Sequence, residues 1–67
     1  MGVLKVIEVL ANSKNSWEEA TQNAVKHAAK SLRKIRSVNV NNMSALVDDK
    51  GKIKEYRVNV KISFEVE

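Results

Sequence analysis

The chain has 67 residues, and its 12 Lys and Arg against 8 Asp and Glu give a formal net charge of +4. The absence of cysteine excludes disulfides, and a single histidine argues against a zinc site. A domain this short buries only about 60% of its unfolded surface, so we expect association with other copies to supplement a small core.

The sequence indicates one domain over residues 1–67, because no linker, repeat or low-complexity segment interrupts it. No apolar run approaches the roughly 20 residues that a membrane span needs. The start "MGVLKV" lacks the charged and apolar regions of a signal peptide. We therefore expect a cytoplasmic protein without a membrane partner.

The first predicted element is a strand over residues 3–10, "VLKVIEVL", which is rich in β-branched and apolar residues. Its apolar side chains divide between two sides, with Val3, Ile7 and Val9 on one and Leu4, Val6 and Leu10 on the other. Apolar residues on both sides are typical of a strand that is covered on both faces.

The second element is an amphipathic helix of about five turns that begins after Ser16 and ends near Ile35. Ser16 and Glu19 fit a capping box, in which Ser16 accepts from the N–H of Glu19 and the carboxylate bonds back. One helical face is apolar and rich in alanine: Trp17, Ala20, Thr21, Ala24, Val25, Ala28, Leu32 and Ile35. The opposite face carries Glu19, Lys26, Lys30 and Arg33.

Beyond the helix the apolar period changes from 3.6 to 2, which predicts two strands joined as a hairpin. A phase slip at residues 41–43 predicts a β-bulge, and "DDKG" at 48–51 predicts a turn with Gly51 at positive φ. Residues 52–66 then alternate regularly between apolar and polar side chains and form the last strand.

These elements predict an α+β fold of order β-α-β-β, a three-stranded antiparallel sheet that partly wraps one helix. The last strand extends about 50 Å at about 3.3 Å per residue, and the helix about 28 Å at about 1.5 Å per residue. One helix cannot cover such a sheet, and a monomer would expose apolar surface. Self-association is the expected outcome.

The stretch "SLRKIRSVNVNN" raises the question of a nucleic-acid patch. Its cations and those before it, Lys26, Lys30, Arg33, Lys34 and Arg36, are equally typical of a solvated helix face near a C-terminus. The chain has only three aromatic residues, and Trp17 and Phe64 belong to apolar faces, so no stacking platform accompanies the charge. We therefore do not expect nucleic-acid binding.

Catalysis is not indicated either. His27 has no carboxylate partner by spacing, the serines lie in no nucleophile motif, and no phosphate-binding loop or dinucleotide fingerprint occurs. The two carboxylates of "DDKG" fall far short of a calcium-binding loop and favour an ordinary polar turn. We expect a non-enzymatic protein.

The chain resembles the dodecins through three segments in the same order and spacing: "VIEVLANS", "SWEEATQNAVKHAAKSLRKIRSVNV" and "YRVNVKISFEVE". The resemblance covers nearly the whole chain. It implies a hollow homododecamer of cubic 23 symmetry, with sheets lining the inside and helices facing outward. The second face of the hairpin would then serve subunit contacts, ligand pockets or the lumen.

The resemblance also implies a small-ligand binding or storage function. Flavin-binding dodecins stack FMN or riboflavin on a tryptophan and hold the flavin edge with a glutamine; Ser37 and Arg57 stand at these positions here. Ser37 cannot stack, and Arg57 cannot accept an N–H, so Ser37 and Arg57 are predicted to bind a small anionic or phosphorylated ligand. Flavin binding and a calcium-binding or purely structural assembly, which relatives without the tryptophan suggest, are the alternatives.

Overall fold

The computed structural model describes residues 2–66, and within them the elements follow in the predicted β-α-β-β order. Their bounds are β1 Val3–Ser13, α1 Trp17–Ala28, β2 Ile35–Val47 and β3 Ile53–Val66. The strands form one sheet of order β1-β3-β2, and β3 pairs antiparallel with both neighbours. The α+β class, the hairpin of the last two strands and the three-stranded antiparallel sheet are confirmed.

The core is formed where the alanine-rich side of α1 packs on the middle of β3. It consists of six buried side chains, Ala20, Ala24 and Ala28 from the helix and Val58, Val60 and Ile62 from the strand. Because alanine extends little from the helix axis, the helix backbone approaches the sheet closely and the β-branched side chains fill the space between. The predicted helix stripe and strand alternation therefore both point into this core.

The helix ends at Ala28 and is about three turns long, so the predicted extension to Ile35 is wrong. The N–H groups of Ser31 and Leu32 both bond the carbonyl of Ala28, which closes a turn in place of a further helical turn. Lys34 then adopts a φ of 59°, which turns the chain into β2. Leu32 and Ile35 still pack against the core. They continue the apolar stripe from a backbone that is not helical.

The helix N-terminus is capped by Ser16, whose hydroxyl accepts from the N–H of Glu19 at 3.0 Å as predicted. The reciprocal bond of the capping box is not formed. The Glu19 carboxylate instead accepts from the hydroxyl of the buried Ser13 and from the amide of Asn15 at 2.7 Å. Ser13 in turn accepts from the N–H groups of Asn15 and Ser16. This network fixes the connection between β1 and α1.

The hairpin of β2 and β3 contains the predicted bulge and turn. Val40 pairs with Val60 and Asn42 with Asn59, so Asn41 is the extra residue of a bulge within 41–43. Gly51 has a φ of 80°, and the Asp48 carboxylate accepts from two backbone N–H groups of the same turn. A second irregularity at Arg36, between Ile35 and Ser37, was not predicted.

One helix covers only part of this sheet. The molecule is 50 Å long, whereas twelve helical residues span about 18 Å. Large apolar side chains stay exposed at Val3, Leu4, Val6, Leu10, Val40, Met43, Val47 and Ile53. Within residues 2–66, no helix has the length and apolar character to cross a membrane.

Candidate ligand-binding face

The sheet has a face that α1 does not touch, and we call it the helix-free face. Along β3 the side chains of Val58, Val60 and Ile62 point into the core, so the alternate side chains point to the opposite side. On this side β3 presents Glu55, Arg57, Asn59, Lys61, Ser63 and Glu65. The sequence alternation predicted this polar row.

The strand register arranges the helix-free face in rows across β1, β3 and β2. From the hairpin side downward the rows are Asn12–Arg57–Ser44, Leu10–Asn59–Asn42, Glu8–Lys61–Asn39 and Val6–Ser63–Ser37. The β2 column is therefore neutral and polar throughout, with hydroxyl and amide groups. The β1 column is mainly apolar, and we call Leu4, Val6 and Leu10 the β1 apolar column. The face is amphipathic from one edge to the other.

Ser37 lies at the lower end of this face and is exposed. Its hydroxyl is 2.7 Å from the hydroxyl of Ser63, directly across from it on β3. One residue earlier, Arg36 donates from Nε to the Glu65 carboxylate at 3.1 Å and forms a salt bridge with it. The hydrogen bond from Arg36 is the main cause that lowers the pKa of Glu65 below its ordinary value.

Arg57 lies at the upper end and is also exposed. Its Nε donates to the side-chain oxygen of Asn12 at 3.4 Å, and the Asn12 carbonyl accepts from the amide of Asn23 in α1 at 3.1 Å. The helix thus holds Asn12, and Asn12 orients the guanidinium. The two terminal nitrogens of Arg57 make none of the hydrogen bonds described for residues 2–66.

The two predicted ligand residues do not meet within one chain. Ser37 lies opposite Ser63, and Arg57 lies six residues away from Ser63 on the same strand. At about 3.3 Å per residue, this separation is about 20 Å. The prediction that these residues act together consequently requires either two separate subsites or surfaces from neighbouring chains.

Sequence reasoning missed two asparagines of this face. Asn12 orients Arg57, and the side-chain oxygen of Asn59 is buried without a hydrogen-bond partner among residues 2–66. Asn59 sits on the polar side of the strand alternation, which was visible in the sequence. Leu10 and Asn42 flank Asn59 because β3 is the central strand of the sheet. The sequence pattern does not specify that strand order.

Trp17 lies away from the helix-free face, as predicted from its place on the packing side of α1. Its ring packs edge-on against Tyr56 with centroids 4.9 Å apart, and its Nε1 donates to the carbonyl of Ser44 at 2.9 Å. This bond ties the start of the helix to β2. Trp17 is therefore a structural residue and not a stacking surface for a ligand.

The remaining charged groups do not form a chemical site. His27 is exposed, as are Lys26, Lys30 and Arg33 on the outer side of the chain. Residues 2–66 contain no group of three His, Asp or Glu side chains gathered closely enough to hold a metal ion. The described part of a single chain also encloses no cavity. Any ligand contact made by one chain therefore takes place on an open surface.

Comparisons with known proteins agree with this architecture. The family model described as Dodecin matches residues 3–67. The chain is 39% identical to the calcium dodecin of Mycobacterium tuberculosis, over 98% of this chain and 92% of that protein. The tt0972 protein of Thermus thermophilus has a crystal structure with a TM-score of 0.89 and 31% identity, covering 97% and 94% of the two chains. The dodecin of Streptomyces coelicolor has a TM-score of 0.90 and 29% identity, covering 97% and 91%.

Proposed function

Because the chain belongs to the dodecin family, we propose that it is a non-catalytic, self-assembling protein that binds or stores a small ligand. In this proposal residues 1–67 act as one dodecin-like domain. The observation that carries it is the helix-free face, where a held arginine lies in a row of neutral polar side chains. The proposed cytoplasmic location is a separate point that cell fractionation would test.

The assembly that we propose is a hollow homododecamer. Its support is the exposed apolar surface, since the β1 apolar column on one face and Val40 and Met43 on the other are 44–68% exposed. Exposed large apolar side chains grouped in this way are typical of a contact with another molecule. Light scattering on a size-exclusion column tests the proposal, because twelve chains of 7.5 kDa give about 90 kDa. A well-folded 7.5 kDa species would contradict it.

The proposed ligand is a small anionic or phosphorylated molecule that contacts Arg57 and Ser37. Arg57 supports this because its Nε is engaged by Asn12 and its terminal nitrogens remain for a phosphate or carboxylate. The hydroxyl pair of Ser37 and Ser63 shares one hydrogen bond, so one hydroxyl proton is left to donate to an anion. The cross-strand neighbours of Arg57, Asn12 and Ser44, are neutral, and Glu55 lies two residues earlier on the same side of β3.

Isothermal titration tests this ligand class. The titrants are phosphate, pyrophosphate, FMN and riboflavin, applied to the wild type and to Arg57→Gln and Ser37→Ala. We expect heat with at least one phosphorylated compound and at least tenfold weaker binding in Arg57→Gln, because one charge-assisted contact is worth about 1.5–3 kcal/mol. Arg33→Gln is the matched control, since it removes the same group from the outer side of the chain. No heat with any anion would discard the proposal.

Flavin is the first alternative ligand. The side chains at the two flavin positions do not fit the usual contacts, because Ser37 has no ring and Arg57 is purely a donor. A flavin bound here would have to be held by its phosphate and by other chains. Quenching of riboflavin fluorescence, where no phosphate can contribute, would favour this alternative over the anion.

Calcium is the second alternative, and the name of the 39% identical calcium dodecin favours it. The described residues of one chain do not gather three carboxylates, so carboxylates of several chains would have to share the ion. A thermal shift with calcium chloride that magnesium chloride does not reproduce would support this alternative. An assembly without any ligand would show no shift with calcium and no heat with the anions.

The outer cations belong to neither site. Lys26 is exposed in the last turn of α1, where the helix dipole favours positive charge, and Lys30 and Arg33 are exposed in the segment that follows. We assign no nucleic-acid binding to them. A gel shift that weakens steeply with salt would contradict this assignment.

A further inference from the structure

The row Asn12–Arg57–Ser44 of the helix-free face is held by α1 from the opposite side of the sheet. The Asn23 amide donates to the carbonyl of Asn12 at 3.1 Å. The Trp17 Nε1–H donates to the carbonyl of Ser44 at 2.9 Å. Asn12 and Ser44 are the cross-strand neighbours of Arg57 on β1 and β2. The helix therefore fixes the backbone on both sides of the arginine.

The central strand is held at the same level. The Trp17 ring packs edge-on against Tyr56, the residue directly before Arg57, with the ring centroids 4.9 Å apart. Tyr56 points to the helix side and Arg57 to the helix-free face, because successive side chains of a strand alternate. A contact that fixes Tyr56 consequently also fixes the backbone from which Arg57 projects.

This polar attachment is confined to one end of the sheet. Among the hydrogen bonds described for residues 2–66, those between α1 side chains and the strands end at Asn12, Ser13 and Ser44. The three lower rows of the helix-free face have none of these bonds. Apolar packing already attaches the helix to β3, and hydrogen bonds are directional whereas apolar contacts are not. The polar bonds thus add a defined position for the row of Arg57.

We infer that Trp17 and Asn23 are positioning residues of the anion site, although neither touches the ligand. Each fixes a carbonyl beside Arg57 from the far side of the sheet. With its backbone held, Asn12 keeps its side-chain oxygen in reach of the Arg57 Nε, at 3.4 Å. A guanidinium held in this way loses less rotamer freedom when an anion binds, which raises the affinity. The inference rests on the proposed anion-binding function and adds the part that α1 has in it.

Titration of the assembled protein with pyrophosphate tests the inference in Asn23→Leu and Trp17→Phe. The first removes the amide at similar size, and the second keeps a ring beside Tyr56 while it removes the Nε1–H donor. We expect each variant to bind pyrophosphate about two- to tenfold more weakly than the wild type, as the loss of one neutral hydrogen bond allows. Gln22→Leu is the matched control with unchanged affinity, since Gln22 is exposed on α1 and has no described side-chain bond.

A double-mutant cycle separates positioning from a general loss of structure. Arg57→Lys keeps a charge that binds pyrophosphate but removes the Nε that Asn12 orients. Asn23→Leu should therefore weaken binding no further in the Arg57→Lys background. The same loss in both backgrounds overturns the inference, because the effect then does not pass through the guanidinium.

Circular dichroism and the assembled mass show whether each variant folds. If Trp17→Phe does not fold, Asn23→Leu and Asn23→Gln decide, because the longer amide retains a donor and should recover part of the lost affinity. Wild-type affinity of Asn23→Leu overturns the inference but leaves the anion function intact, provided that Arg57→Gln still weakens binding. No heat with pyrophosphate in the wild type also overturns it. The anion function itself fails only if phosphate and FMN give no heat either.

Discussion

The two faces of β3 belong to one strand but differ in what covers them. The side chains of Val58, Val60 and Ile62 are 0–1% exposed, because a single helix of the same chain covers them. Directly next to them in the sequence, Arg57 and Lys61 are exposed on the helix-free face. One chain completes the first face and leaves the second open.

This difference separates the part of the molecule that forms the core from the part where we propose that ligands and other copies bind. The covered face is small and apolar, and the helix of the same chain buries it. This burial stabilises the fold. The helix-free face carries exposed apolar, amide and charged groups in rows, and the buried side-chain oxygen of Asn59 has no hydrogen-bond partner among residues 2–66. Some of its polar groups are paired within the chain, as Arg57 is with Asn12 and Ser37 with Ser63, whereas Leu4, Val6 and Leu10 stay exposed.

The largest expected effect comes from the covered face. Ile62 is fully buried, and Ile62→Ala should lower the free energy of unfolding by about 2–5 kcal/mol. A core of this size supplies only about 3–5 kcal/mol, so the variant should be largely unfolded as a single chain. Urea denaturation followed by circular dichroism at fixed protein concentration measures this. Ile62→Val, expected to cost about 0.5–1.5 kcal/mol, is the control. A native-like midpoint for Ile62→Ala would mean that assembly dominates stability.

The second effect concerns the open face and should separate assembly from folding. Leu10→Asp places a charge in the β1 apolar column, where we propose that another copy covers the sheet. We expect the mass from light scattering to fall from about twelve chains to one or a few, because a buried unpaired carboxylate is strongly unfavourable. Gln22→Asp adds the same charge on the exposed side of α1 and should leave the mass unchanged. An intact dodecamer of Leu10→Asp would show that this column faces solvent or the lumen.

Much of the covered face could be predicted from the sequence, because burial produces periodic patterns. The alanine stripe, the alternation of β3 and the bulge at 41–43 were all visible as changes of apolar phase. The helix end was not, since Leu32 and Ile35 keep the stripe although the helix has already ended at Ala28. No glycine or proline marks that stop. Packing, and not helical geometry, preserved the pattern.

The open face could be predicted only in outline. Alternation placed Arg57 on the polar side, but the separation of Arg57 from Ser37 and the neighbours of Asn59 depend on the register with β1 and β2. The same holds for Asn12, whose contact with Arg57 joins residues 45 positions apart. The direction of the Glu19 carboxylate likewise depended on Ser13 lying close to the helix start. Such long-range pairings leave no local signal.

A smaller effect is expected from the N-cap of α1, the helix that covers β3. Ser16→Ala removes the acceptor for the N–H of Glu19 and should lower the free energy of unfolding by about 1 kcal/mol. The mass of the assembly and the anion affinity should not change, because Ser16 lies outside the helix-free face. Ser31→Ala, in the turn after the helix, is the control with no described side-chain bond. A change in assembled mass for Ser16→Ala would show that the two faces are coupled through the helix start.

The smallest expected effect is the pH dependence of stability that two carboxylates cause. Glu19 lies at the start of α1, and Glu65 lies on the helix-free face of β3. Hydrogen bonds from Ser13 and then Asn15 lower the pKa of Glu19, and the hydrogen bond from Arg36 lowers the pKa of Glu65. A lowered folded-state pKa means that the unfolded state binds more protons in the acidic range, so each carboxylate stabilises the fold above its ordinary pKa. This contribution is lost as the pH falls through the lowered value. Glu19→Gln and Glu65→Gln should each be less stable than the wild type at pH 7.

The two variants should differ in what else they change. Glu19 supports the connection at the helix start, so Glu19→Gln should alter stability alone. Glu65 holds Arg36 beside Ser37, and Glu65→Gln releases a guanidinium on the helix-free face, so it should also strengthen binding of pyrophosphate. Urea midpoints at pH 7 and pH 3, with titration of pyrophosphate at pH 7, give both quantities. If the deficit of either variant is no smaller at pH 3 than at pH 7, its stabilising role is not the carboxylate charge. Equal pyrophosphate affinity in both variants would place the anion at Arg57 alone.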